Sequence, residues 1–438
     1  MHDVLDPRDL VPDEAEQLRH SGYPVGVLES EARQAAESGD LARLEEISHQ
    51  LAALERTSGW DYDEPYDEAT LTALAAQAPT LAVDERKLPD RIRGAWLGRA
   101  VANTLGKPVE GLSRVQLEIY LRAVGQWPQA GYLPLLDPLP EGVSELHESA
   151  SFSAAGRFVD VPRDDDIDWT ILGLYLLECC GRGVTTEQIA EEWLDRLPFL
   201  QTFTAERAAY RNLILGLNPP LTASHGNPYR EWVGALIRAD VFGYVSPGDP
   251  REAARLALVD ARLSHTANGI YGEIWAAALV ASAFATDVAD EALRVAQRLV
   301  PATSRLAAAL RGVLDLYDTG ARHTDALDWV DSELGHFPWV HTVNNAALIA
   351  IGLLWGERFI DAAGITISGG RDTDSNAATV GSVYGALHGA SGIPAELVGT
   401  THVHVRSAVR EFDRVTIDEL STRTLKLAEK FIAGADRT

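Results

Sequence analysis

The sequence predicts an all-α fold, and three observations carry that prediction. Apolar residues recur with helical spacing along most of the chain, and period-2 alternation of the strand type is scarce. Small residues also repeat four apart on single helix faces: Gly94, Gly98 and Ala102, then Gly272 and Ala276, then Gly381, Gly385 and Gly389. Glycine inside a helix costs about 1 kcal/mol relative to alanine. Repeated on one face, it implies helices whose backbones approach closely.

Taken in order, the first 89 residues hold 20 Asp+Glu against 7 Lys+Arg, so half of the net charge of −26 lies in a fifth of the chain. Residues 1–87 are read as an acidic helical extension and 88–438 as the main all-α domain. Within the extension, residues 31–56 have the spacing of one helix, with Leu41, Leu44, Ile47, Leu51 and Leu54 on its apolar stripe. That stripe requires a partner surface, on the main domain or in a homodimer formed through the extension. The Asp/Pro-rich start and the stretch Trp60 to Tyr66 read as loop. Beyond residue 87, helical periodicity marks 91–105, 169–180, 186–197, 253–263, 269–285, 290–299, 304–317, 344–355, 375–388 and 420–432. Residues 125–142, with four prolines and three glycines, read as loop.

With 438 residues, 46% of them hydrophobic, the chain can bury a large core. Its negative charge argues against nucleic acid and anionic membrane surfaces as partners, since both reward lysine and arginine. No apolar run reaches the ~18–20 residues of a membrane span, and Met1 to Asp6 lacks the basic-then-apolar pattern of a signal peptide. The expectation is a soluble, cytoplasmic, bacterial-style protein. The only cysteines, Cys179 and Cys180, are adjacent in an apolar run and read as buried structural residues.

The chemistry is concentrated in two acidic clusters: Asp164, Asp165, Asp166 and Asp168, and Gly369-Gly370-Arg371-Asp372-Thr373-Asp374-Ser375. Each sits where a helix should begin. A carboxylate there can act as an N-cap and faces the positive end of the helix dipole. Consecutive aspartates also repel one another, so gathering them raises pKa values or demands a cation. Oxygen donors alone specify Mg²⁺, Mn²⁺ or Ca²⁺ rather than zinc.

Two further segments complete the pattern: Asp90 to Gly98 running on through Gly106-Lys107-Pro108-Val109-Glu110, and Ser264-His265-Thr266. In order and spacing the four segments resemble the ADP-ribosylglycohydrolase family, which includes the dinitrogenase-reductase-activating glycohydrolases, over about residues 88–430. The resemblance implies an orthogonal all-helical core with two Mg²⁺ ions, Mn²⁺ being the alternative. It implies hydrolysis of the bond between an ADP-ribosyl anomeric carbon and its acceptor, a protein side chain or a small molecule. By the same resemblance, Asp164, Asp165, Asp166, Asp372, Asp374 and Ser375 fall on the metal motifs, and Glu110 and Asp166 on the catalytic positions. Gly369, Gly370 and Arg371 would hold pyrophosphate at a helix start, and Ser264 and His265 would contact substrate. An aromatic residue should stack on the adenine, with Tyr384 and Trp339 as candidates.

Three departures stand out: Asp164 and Ile167 replace threonines, Asn103-Thr104 replaces Gly-Asp, and Arg371 is wedged before Asp372. They leave two alternative functions in view. One is an N-ribosyl or nucleotide glycosidase acting on an NAD-derived metabolite. The other is a binder of ADP-ribose without turnover.

Overall fold

The computed structural model describes residues 5–435, so the Met1–Val4 part of the N-terminus lies outside the described residues. Helices dominate; the strands are a two-residue antiparallel pair, His404 opposite Thr416 and Val405 opposite Val415. All ten helices expected beyond residue 87 are present, with ends shifted by a few residues.

Their burial follows their sequence pattern. Ala267–Ala283 is predominantly apolar and every residue in it is buried, Asn268 and Glu273 included, which makes it the middle of the core. Thr342–Trp355 and Thr373–His388 are nearly as enclosed. Amphipathic helices such as Thr186–Arg196 and Ala289–Gln297 form the outer layer, each burying only its apolar face. The C-terminal helix Ile417–Ala435 is tied to the interior by Trp96, whose indole N–H donates to Thr424 Oγ1 at 3.0 Å.

The small-residue faces do what their spacing implies. Leu88–Gly106 and Thr373–His388 run antiparallel in backbone contact, Gly94 against Gly385 and Gly389, Gly98 against Gly381, and Gly106 against Thr373. A methyl group on Gly94, Gly98, Gly381 or Gly385 would overlap the main chain of the facing helix. This crossing sets the end of the first helix beside the start of the second.

The extension differs from expectation in two places. The start is helical rather than loop: Asp6 caps Pro7–His20 by accepting from the Arg8 N–H at 2.8 Å, with Pro7 at the first helical position. The predicted helix over 31–56 is two helices, Leu28–Ser38 and Leu41–Ala52. Gly39 ends the first in a left-handed conformation (φ 72°) and Asp40 caps the second. Leu44, Ile47 and Leu51 are buried against Val11, Ala15, Leu18, Ala32 and Ala35. The surface required by the stripe is therefore supplied by the chain's own first two helices, and the stripe gives no reason for a dimer.

The extension packs on the core through a buried polar network. Arg305 donates to Glu64 (2.9 and 2.7 Å) and to Glu231 (2.7 Å), while Asn268 bridges the same two carboxylates. Gln17 donates to Glu231 at 2.8 Å, and Glu14 pairs with Arg230. Several of the extension's acidic residues thus meet arginines of the core. Cys179 corrects a further expectation. It is exposed, and Cys180 is only partly buried against the core.

The crossing yields a direct prediction. Gly381→Ala should destabilise the protein by about 3 kcal/mol, because the helices must separate to admit the methyl group. Gly183→Ala, where the added carbon meets nothing within 4 Å, should change stability by less than about 0.5 kcal/mol. Denaturant unfolding of both variants checks this; equal effects would mean that the helices are not in backbone contact.

Candidate metal centre

Three chain segments converge at the crossing. Leu88–Gly106 ends in a short 3₁₀ turn, Lys107–Val109, followed by Glu110. The start of Thr373–His388 brings Asp372, Asp374 and Ser375. Asp165–Cys180 is held against the first helix by buried hydrogen bonds. Arg99 donates to the Asp166 carbonyl (3.1 and 2.6 Å) and to Asp240 (2.6 Å), and Asn103 Nδ2 donates to Asp166 Oδ2 at 2.8 Å. Asn103, one of the departures noted in the sequence, is thus a donor to the acidic cluster.

The carboxylates fall into two overlapping groups, Glu110 with Asp372 and Asp374, and Asp164 with Asp166 and Asp374. Within each, the possible ligand atoms lie within 4.8 Å of one another. Helix capping accounts for only part of this. Asp164 Oδ1 does cap its helix, accepting from the Asp166 N–H at 2.9 Å. Asp372 occupies the N-cap position of Thr373–His388 but makes no side-chain cap bond, leaving its carboxylate to the cluster. Ser375 sits beside it. Asp165 is half-buried next to both groups and belongs to neither.

Asp164, Asp166, Asp372 and Asp374 are each at most 5% exposed. Ionised together they would be costly there. Burial, then the charges of Asp374 and its neighbours, pushes Asp166 and Asp372 well above the usual carboxylate range, and raises Asp165 and Glu110 as well. Asp166 Oδ1 and Asp374 Oδ1 are buried without a hydrogen-bond donor. Crowded oxygen donors with unsatisfied lone pairs fit a hard divalent cation.

Two residues not singled out from sequence also belong here. Lys107 is 6% exposed; its ammonium pairs with Asp164 and lies 3.2 Å from Asp374 Oδ2 and 4.0 Å from Glu110 Oε2. Burial draws its pKa down, but Asp374, Glu110, Asp165 and Asp166 more than offset this and keep it charged. His147 Nδ1 lies 3.0 Å from Glu110 Oε2, and that contact raises the imidazole's pKa despite partial burial. Nothing in the spacing around residue 147 signals this role.

The expected substrate contacts are differently placed. The N–H groups of Gly369, Gly370 and Arg371 already donate to Thr366, Ile367 and Leu112 carbonyls at 3.1, 2.8 and 3.0 Å. The Arg371 guanidinium is paired with Asp331 at 2.8 Å. The donors expected there for pyrophosphate are committed within the chain. Gly370 adopts φ 65° and Arg371 φ 66°, a conformation costly for arginine and held here by the pairing with Gly111 and Leu112. A Cβ at Gly370 would press on the Leu112 carbonyl.

Ser264 and His265 lie outside both carboxylate groups, in a separate buried network. Ser264 Oγ accepts from Arg238 at 2.9 Å and contacts His265 Nδ1 at 2.8 Å, while Arg238 also pairs with Glu206 and Asp260. Burial, then Arg238, holds the His265 pKa well below its usual value, so the ring is neutral. Tyr384 lies twelve residues beyond Asp372, roughly 18 Å along the helix, and packs on Phe359 and His388. Trp339 is exposed, and its loop is linked to the centre: Asn345 donates to the Trp339 carbonyl and accepts from Asn376, one turn past Asp372.

Glu273, 3.6 Å from Arg238 in the Arg238 network, is wholly buried, and neither of its carboxylate oxygens accepts a hydrogen bond. Burial, then Asp260, holds its pKa well above the usual range. Glutamate in the unfolded chain ionises near pH ~4.3. Stability is therefore lost as pH rises above that value toward the folded pKa, because only the unfolded chain releases the proton. Glu273→Gln should lose less thermal stability than wild type between pH 5 and pH 8, measured by calorimetry. Parallel slopes would show that Glu273 is ionised in the fold.

Comparison with known proteins places the chain. It is 24% identical over 308 residues to an uncharacterized protein of Archaeoglobus fulgidus, spanning 68% of this chain and 88% of that one. A solved ADP-ribosylglycohydrolase-related protein complex aligns with 78% of this chain and 99% of its own, at 19% identity and a TM-score of 0.44. The sequence model of the ADP-ribosylglycohydrolase family matches residues 84–433, a span that holds the helix crossing and every carboxylate of the cluster, and this chain belongs to that family.

Proposed function

We propose that this protein hydrolyses the glycosidic bond of an ADP-ribosyl group, using a divalent cation held by Glu110, Asp372 and Asp374. Family membership supports a glycohydrolase. The observation that carries the finer reading is the pair of carboxylate groups sharing Asp374, with Asp166 Oδ1 and Asp374 Oδ1 buried and unsatisfied. Mg²⁺ is the natural occupant for oxygen donors alone, with Mn²⁺ an effective substitute.

The reaction breaks the bond from the anomeric carbon to the acceptor atom and forms one to a water oxygen. A bound divalent ion supplies an anchor for the ribose hydroxyls and lowers the pKa of a nearby water. The chain's own residues do the rest. Glu110 has the most accessible carboxylate of the two groups and accepts the proton of the attacking water. His147, 3.0 Å from its Oε2, fixes the direction in which that carboxylate faces. The surrounding carboxylates stabilise the cationic, oxocarbenium-like sugar as the acceptor leaves. Asp166, fixed by the Asn103 amide, is oriented within the cluster rather than free to move a proton. The acceptor leaves with one proton, so the products are ADP-ribose and the free acceptor.

Release of ADP-ribose from a panel of ADP-ribosylated proteins and NAD-derived small molecules, with and without Mg²⁺, tests this reading. Wild type should release it in a metal-dependent manner, and Asp372→Asn should lower the rate by more than about 100-fold, since even residues that only support metal ligands cost 10–100-fold. A folded, ion-bound wild type that releases nothing from any member of the panel would contradict it.

A further inference from the structure

We propose that the Lys107 ammonium serves as one of the two cations of this centre. The chain then takes a single divalent ion, at Glu110, Asp372 and Asp374, and Asp164 is the partner of Lys107 rather than a metal ligand. The inference rests on the acidic cluster being the cation site of the proposed function, and it departs from the two-ion expectation raised by the sequence.

The two carboxylate groups are not equivalent. In the group of Asp164, Asp166 and Asp374, the lysine pairs with Asp164 and lies 3.2 Å from Asp374 Oδ2. Asp166 in that group already accepts from Asn103. In the other group, the lysine lies 3.2 Å from the shared Asp374 and 4.0 Å from Glu110, and it does not pair with Asp372. Among the described residues no lysine or arginine pairs with Asp372, and His147 is the nearer partner of Glu110. The first group has an ammonium on two of its three carboxylates, while the second leaves Asp372 without a basic partner.

The lysine is placed by the fold. Gly106 lies against the main chain at Thr373, and Pro108 stands inside the 3₁₀ turn that Lys107 opens. The side chain therefore emerges at the helix crossing and is buried there. An ammonium is a compact point charge with three N–H donors, and here it faces Asp164, Asp374 and Glu110. A divalent ion ligated by Asp164 would have to displace the ammonium that pairs with that carboxylate. Asp374, shared by both groups, couples the ammonium to the ion beside it.

Counting Mn²⁺ bound per full-length chain, by equilibrium dialysis with metal analysis, tests the assignment without reference to activity. Wild type should bind one Mn²⁺ and Lys107→Met two, because the freed group of Asp164, Asp166 and Asp374 then accepts a second ion. Asp164→Asn should still bind one. Two ions on wild type, one on a folded Lys107→Met, or none on Asp164→Asn would each overturn the proposal. If Lys107→Met does not fold, the wild-type and Asp164→Asn counts decide it alone. A wild type that binds no Mn²⁺ would overturn the metal reading of the proposed function as well, so the two failures are distinguishable.

Discussion

Backbone contact between Leu88–Gly106 and Thr373–His388 is the constraint on which the rest of this structure depends. Two helices separated by more than 250 residues of chain cross so closely that a single added methyl group would strike the facing main chain. Antiparallel packing at that distance fixes both axial register and separation. It therefore delivers the Lys107–Glu110 turn and the Asp372–Asp374 helix start to the same point. Arg99 and Asn103, on another face of the first helix, bring the start of Asp165–Cys180 there too. The centre needs no flexible loop to assemble it, because every carboxylate but Glu110 sits at a helix start and Glu110 follows directly on a helix-terminal turn.

Electrostatics supplies the second constraint. The helix starts offer partial positive charge, which favours single aspartates but cannot neutralise a buried group of them. The cluster offsets its charge in three further ways: an amide donor from Asn103, an imidazole from His147, and the ammonium of Lys107. After all three, buried oxygens on Asp166 and Asp374 still have no donor. That remainder is the physical content of the proposed cation site. The separate cluster around Arg238 shows a different resolution, since Glu273 there, although 3.6 Å from Arg238, takes up its burial as a raised pKa.

The sequence made the helices legible because burial on one face imposes a period, and the glycine faces legible because glycine is otherwise disfavoured in helices. The two acidic clusters were legible as charge that needed explaining. What it hid were long-range encounters. Lys107 reads as an ordinary lysine just past a helix end, and only the crossing shows that its side chain is enclosed. The donors of Gly369 and Gly370 look available in sequence, but the turn that places them consumes their N–H groups. His265 reads as a site histidine, yet Arg238 and its acidic partners hold Ser264 and His265 in a network of their own. The start of the chain reads as loop from its Asp/Pro composition, whereas Asp6-Pro7 is a helix start. Gly39-Asp40 likewise spelled out a stop and a start within an apolar stripe that runs continuously across them.

The central claim is that segments from both ends of the main domain share one cation. Anomalous diffraction from crystals grown with Mn²⁺ tests it most directly. The account predicts a single strong peak whose first ligands come from Glu110 on one side and from Asp372 and Asp374 on the other, with the Lys107 ammonium between Asp164 and Asp374. A peak ligated by only one of these segments, or Mn²⁺ bound away from the helix crossing altogether, would contradict it.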